Sequence, residues 1–339
     1  MFISSHTASK TTDGSQLNGT HSDHRQFHSG VVAPPVHHTK RNLFEPGRVH
    51  YTPAWFGLGA AAAAGGLLGL RRYGRRMLAG MGGLGALSLA YMAIVEPTRP
   101  RLERVTLSLP TLPAGLDGLR IGQITDCHLG MPYSAGNLAW AVAQMQSEQP
   151  DLLVLTGDLV GKRRAIADVP AYLRGLSAPL GIYAVPGNHD YWEGLYDLRG
   201  ALMLLGIPLL LNEHRQLRWN GVDLWLVGID DIWEGQHDYA AALQGVPRDA
   251  FKLLLAHAPD AADEAARHRF ALQISGHTHG GHLRLPFLGP FTRPRYGLRY
   301  VMGRYQVGAM ALYVSRGLGG LPLRLLCRPE ATIITLRRG

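Results

Sequence analysis

Ile121-Gly122-Gln123-Ile124-Thr125-Asp126-Cys127-His128 and, about thirty residues on, Leu152-Leu153-Val154-Leu155-Thr156-Gly157-Asp158 are two apolar runs of strand length, each followed by a carboxylate. Between them, Leu138 to Met145 carries a helical pattern after a Ser134 cap candidate. Strand, helix and strand at that interval form a βαβ unit, which makes the sheet parallel. Working outward, Leu119–Ile124, Leu152–Leu155, Ile182–Val185, Leu224–Ile229, Leu253–Ala256, Leu272–Ser275, Ala311–Val314 and Thr332–Leu336 read as strands, and Leu195 to Leu205 as a further helix. Spacings shorten in the second half, where hairpin-like pairs replace βαβ units. The pattern predicts two sheets packed face to face and flanked by helices.

The polar residues gather at the ends of these strands, where an open α/β sheet presents its ligands. A side-chain period of two lets Asp126 and His128 point to one side and turns Cys127 away, as a small buried hydrophobe. Gly157 permits close backbone approach, and Asp158 is placed to bridge two ions. In Val185-Pro186-Gly187-Asn188-His189-Asp190 a strand is broken by Pro-Gly and three polar residues follow. An Asx-type turn accounts for Asn188 and Asp190 but not for His189 between them. His257 closes Lys252-Leu253-Leu254-Leu255-Ala256, and by itself it would read as a satisfied core histidine. Ile274-Ser275-Gly276-His277-Thr278-His279-Gly280-Gly281-His282 ends another strand, with glycines that leave the imidazoles free to converge. A clamp for two hard cations needs such a mixed ring of carboxylate, imidazole and amide oxygen. Donors without thiolate suit Mn, Fe or Zn better than Ca.

D-x-H, G-D, G-N-H-D, H and G-H-x-H in this order resemble the calcineurin-like metallophosphoesterases. The resemblance runs from about Pro110 to the C-terminus, and Arg316-Gly317-Leu318-Gly319, Pro322-Leu323-Arg324-Leu325 and Arg328-Pro329-Glu330 resemble the bacterial membrane-associated YaeI/YkuE type. The resemblance implies a four-layer α/β/β/α sandwich. It implies a first divalent ion on Asp126, His128 and His279, a second on Asn188, His257 and His277, and Asp158 bridging the two. It also implies His189 as the catalytic histidine with Asp190 as its orienting partner. A metal-bridging hydroxide would attack phosphorus in line while His189 stabilises charge or protonates the leaving oxygen. His282 stands where the subgroup has Gln, which makes it a substrate-contact candidate together with Arg316, Tyr191 and Trp192.

The remainder of the chain suggests a membrane. Net charge is +9 over 339 residues, and residues 1–97 hold nine Lys/Arg against four Asp/Glu. The remaining 25 basic and 21 acidic residues are too balanced to argue for nucleic acid. Residues 1–52 are rich in Ser, Thr, His, Gly and Pro and are expected to be a disordered tail, whose scattered histidines read as merely polar. Residues 53–97 form a candidate anchor with apolar stretches 55–70 and 77–95, the second about long enough to cross a bilayer. Arg71, Arg72, Arg75 and Arg76 lie between them and mark a cytoplasmic turn under the positive-inside rule, so one or two helices would span and residues 104–339, the catalytic domain, would face outward. Arg75-Arg76-Met77-Leu78 partly matches a twin-arginine export signal with no clean cleavage site. Two cysteines, Cys127 and Cys327, do not make a disulfide framework.

The expectation is a membrane-anchored hydrolase of a phosphoester or pyrophosphate, plausibly lipid-linked, with no nucleic-acid partner and no protein partner inferable. A UDP-2,3-diacylglucosamine pyrophosphatase is the alternative, and it requires a domain facing the cytoplasm. A non-catalytic scaffold of the same fold is the rival from another class, and it predicts missing ligands. From Arg284 to Arg338 ten arginines face one acid, Glu330, which suggests a rim for anionic headgroups or an ordinary solvated hairpin.

Overall fold

The computed structural model describes residues 49–339, apart from the side chains of residues 70–73, 75 and 78. The chain begins with β1 (Val49–Tyr51) and α1 (Pro53–Ala90), then β2 (Arg101–Leu109), β3 (Arg120–Ile124), α2 (Ser134–Glu148), β4 (Leu152–Thr156), α3 (Val169–Leu173) and β5 (Ile182–Val185). Two short helices follow, α4 (Asn188–Glu193) and α5 (Leu195–Met203), and then β6 (Glu213–Trp219), β7 (Val222–Gly228), α6 (Tyr239–Ala242), β8 (Lys252–Leu255), α7 (Ala262–Ala265) and β9 (Leu272–Ser275). The last part holds β10 (Arg284–Leu285), β11 (Gly289–Pro290), β12 (Thr292–Pro294), β13 (Gly303–Val307), β14 (Met310–Val314) and β15 (Glu330–Arg338).

Alternation along the strands sorts the core. In β4, Leu152 and Val154 face one side and Leu153 and Leu155 the other, so both faces are covered, as in a parallel sheet between two layers. The first face meets Leu253, Leu255, Leu272 and Ile274 of β8 and β9, which is the contact between the two sheets. The second packs on Leu138, Ala141 and Met145 of α2 and Leu198 and Leu202 of α5. Beyond the other sheet, Leu254 and Leu312 meet Ala262 and Ala265 of α7. The layers are therefore helix, sheet, sheet, helix, the predicted sandwich. One sheet runs β2-β15-β3-β4-β5 and the other β13-β14-β9-β8-β7-β6. β3, β4 and β5 are mutually parallel, as are β7, β8, β9 and β14, so the carboxyl ends of both sets can supply one site.

At the N-terminus the expectations need adjusting. Residues 1–48 of the expected tail lie outside the described residues, but Val49–Tyr51 form a strand that pairs with β12 in register Val49↔Pro294 to Tyr51↔Thr292. The two apolar stretches belong to one helical segment, interrupted at Gly74 (φ 73°, ψ −179°). Only 79–98 is long and apolar enough to cross a membrane among the described residues. Both ends of the segment return to one place. Thr52 N–H donates to Phe291 O and Arg324 N–H to Met92 O, while Phe291 and Leu325 both join Leu283. The chain therefore reverses direction between residues 53 and 92.

Candidate metal centre

The loops after β3, β4 and β5 meet those after β8 and β9, and cross-sheet bonds fix them together. His257 Nδ1 donates to Thr156 O at 2.8 Å, and Gln123 Nε2 to Ser275 O at 2.9 Å. Asp126, His128 and His279 form one set of groups whose ligand atoms lie within 4.8 Å of one another, and Asp158, His257 and His277 form a second. Asp158 Oδ2 belongs to both neighbourhoods, 3.5 Å from His128 Nε2 and 3.3 Å from His257 Nε2. His128 Nε2 and His279 Nε2 are 3.2 Å apart, and His257 Nε2 and His277 Nδ1 3.1 Å. His277 Nε2 donates to Arg295 O, which leaves its Nδ1 with the lone pair.

The backbone is unusual here. Asp126 (φ 51°), His128 (47°), Asp158 (52°), His277 (74°) and His279 (51°) all occupy the left-handed region. Non-glycine residues hold it at a cost of about 1–3 kcal/mol each, and it gathers at functional sites. It also corrects the expected reason for Asp126 and His128 sharing a side. They lie past the end of β3, so the turn and not the strand's pleat aims them. Cys127 is buried as expected, in the helix-side core.

A resident metal fits this set on the structure's own terms. Asn188 Oδ1 is buried without a hydrogen-bond donor, an orphan that a cation would satisfy. All the converging donors are oxygen or imidazole nitrogen. Burial pushes the Asp126 carboxyl up to about 6, against the pull of His257. Burial would raise Asp158 too, yet the facing His257 and His189 rings outweigh it and hold it well below the carboxylate range. Burial lowers His128 and His277 to about 3, keeping both neutral as a metal ligand must be.

The remaining expected residues divide. His189 lines the pocket, with its ring 4.5 Å from His128 and 4.5 Å from Trp192, and its N–H donates to Asp158 Oδ1. Asp190 does not reach the His189 ring. Its carboxylate accepts from Gly187 N–H and Val160 N–H, so it fastens the loop that carries His189. Trp192 and His282 line the pocket, His282 stacked on His279 with its Nδ1 buried and unbonded. Tyr191 instead donates its hydroxyl to Asp230. Arg316 is not in the pocket, because Glu330 and Glu103 take its guanidinium. The arginine rim thins likewise. Arg324 is buried on the carbonyls of Gly319, Arg316 and Cys327, and Arg299 pairs with Asp263. Trp233, Val49 and Tyr51 line the pocket too, and none was foreseen. Asp231, which accepts from Trp233 N–H and Glu234 N–H, seats the first of them, and its Asp230-Asp231 pair was the available signal.

The model of the family described as calcineurin-like phosphoesterase matches residues 119–281. The metallophosphoesterase YkuE of Bacillus subtilis is 35% identical over 278 residues, covering 78% of this chain and 97% of its own length. Phosphodiesterase YaeI of Escherichia coli is 33% identical over 63% of this chain and 80% of its own. A Danio rerio protein named transmembrane protein with metallophosphoesterase domain is 33% identical over 74% of this chain and 60% of its own.

Proposed function

Because the chain belongs to the calcineurin-like phosphoesterase family and is a metal-dependent phosphohydrolase, we propose that Asp126, His128, Asp158, Asn188, His257, His277 and His279 hold its two divalent cations and that His189 is the catalytic residue. The reaction is hydrolysis of a phosphoester or pyrophosphate. The observation that carries this reading is the Asp158 carboxylate, one oxygen of which serves both ligand sets. When bound, the two cations supply charge for the phosphoryl oxygens and a nucleophile at neutral pH.

The protein's own groups do the rest. Asp158 Oδ1 pins the backbone of His189, and the ring, held between His128 and Trp192, donates a proton to the leaving oxygen. Asp190 keeps that loop against Val160. Trp192 and Trp233 wall the pocket against water, and His282 remains for substrate contact. Mn, Fe or Zn matches the donors.

The apolar segment anchors the domain to a bilayer. The reversal near Gly74 and the four arginines around it support a cytoplasmic turn and an outward-facing domain. A lipid-linked phosphate is the substrate this placement favours. The test is metal content and turnover of bis(4-nitrophenyl) phosphate by the purified full chain. About two Mn ions per chain are expected, and Asp158→Ala is expected to lose both metal and turnover. Full turnover by Asp158→Ala would overturn the shared-carboxylate site.

A further inference from the structure

The pocket above the metal centre has a polar floor and an apolar outer wall. His128, Asp158, His277 and His279 lie at the floor, while Val49 and Tyr51 of β1, Pro294 of β12 and Leu321 stand at the mouth. Tyr51 and Leu321 are 38% and 50% exposed. Both join directly to the anchor. Tyr51 lies two residues before the helix that starts at Pro53, and its ring meets the exposed Phe56 edge-on at 6.2 Å. Leu321 belongs to the loop whose Arg324 N–H bonds Met92 O at the end of the returning leg, and whose Cys327 N–H bonds Glu96. Apolar surface therefore runs from the pocket wall onto the helix that would enter the bilayer. The cavity itself measures about 140 Å³, so a longer chain would leave it along the apolar wall.

We propose, on the premise of the two-metal hydrolase above, that Val49, Tyr51 and Leu321 seat a hydrocarbon chain, so that the substrate is a phosphoester of a long-chain lipid alcohol reaching the metals from the bilayer. The phosphate would sit on the polar floor, while its chain leaves along the apolar wall toward α1. The strand before the anchor is then part of the specificity site as well as a tether.

The test compares ethyl and octyl 4-nitrophenyl phosphate, which share a leaving group, on the Mn-loaded full chain in nanodiscs. Each methylene buried is worth about fourfold in affinity. Burying half of the six extra methylenes predicts a kcat/KM ratio, octyl over ethyl, of at least about 30. Val49→Asp and Leu321→Asp are each expected to cut that ratio by about tenfold. Partition into the bilayer is common to parent and variants, and each ratio is internal to one preparation, so neither partition nor partial misfolding mimics the result. On the parent alone, dodecyl phosphate should inhibit at least about tenfold more tightly than inorganic phosphate. A parent ratio near one, or a ratio that both variants leave intact, overturns the lipid seat while the hydrolase reading stands. No turnover of either ester overturns the hydrolase reading and this proposal together.

Discussion

His189 separates binding from chemistry. It lines the pocket and its ring nitrogen lies within 4.8 Å of ligand atoms of His128 and Asp158, but it belongs to neither of the two sets proposed for the cations, so removing its ring is expected to spare the metals. His189→Asn is expected to retain two metals per chain and lose about 10²–10⁴-fold in kcat, the ordinary worth of a positioned proton donor. Metal analysis beside kcat decides it, and a variant with parental kcat removes His189 from the mechanism. Residue identities at the centre were legible because aspartate and histidine recur after strand ends with glycine beside them. Their backbone geometry was not, since nothing in Asp126-Cys127-His128 announces that Asp126 and His128 take positive φ. Arg316 shows the opposite failure. Its motif invited a substrate role, but Glu330 and Glu103 are near it only after folding, and they claim its charge.

Among the elements, strands buried on both faces were easiest to read. β4 is apolar up to Thr156, β3 and β9 are mostly buried although they carry Arg120, Gln123, Gln273 and Ser275, and the structure places all three within a residue of the expected bounds. β2 and β6 were missed, because they lie at sheet edges and interleave Arg, Glu and Gln with their apolar residues. The loop after β5 approaches the loop after β4 so closely that glycine is required at 187. A Cβ there would stand 2.2 Å from Asp158 Oδ1 and 2.6 Å from Asp158 N. Gly187→Ala is expected to cost about 1–3 kcal/mol through overpacking and to lower metal occupancy, both readable from denaturant midpoints and metal counts. Gly200, inside α5 with nothing within 4 Å of its added Cβ, is the control. Gly200→Ala should stabilise by about 0.5–1 kcal/mol. Equal effects at the two positions would contradict the close contact of the two loops.

For the whole molecule, metal and stability are expected to be linked, because the proposed ligands come from loops of two different sheets. A cation that binds only the folded chain stabilises it by about 2.7 kcal/mol at a hundredfold excess over Kd. At ~2–4 °C per kcal/mol for a domain of this size, chelation should lower Tm by at least about 5 °C. An unchanged Tm in protein shown to be metal-free would argue against a centre that spans both sheets. The proposed anchor makes a separate prediction at this scale. A phosphatase reporter fused after Gly339 should be active outside the cytoplasm, and a reporter active only inside would reverse the proposed orientation. The amino-acid order by itself determined the layered α/β class, the residues proposed to bind the cations and the apolar segment, because periodicity, strand-end chemistry and hydropathy are local properties. Only the tertiary structure decided that Val49 and Tyr51 wall the pocket, that Asp190 bonds backbone and not His189, and that Arg324 is buried. Those outcomes depend on which distant segments a side chain meets, and long-range proximity leaves no periodic trace along a single chain.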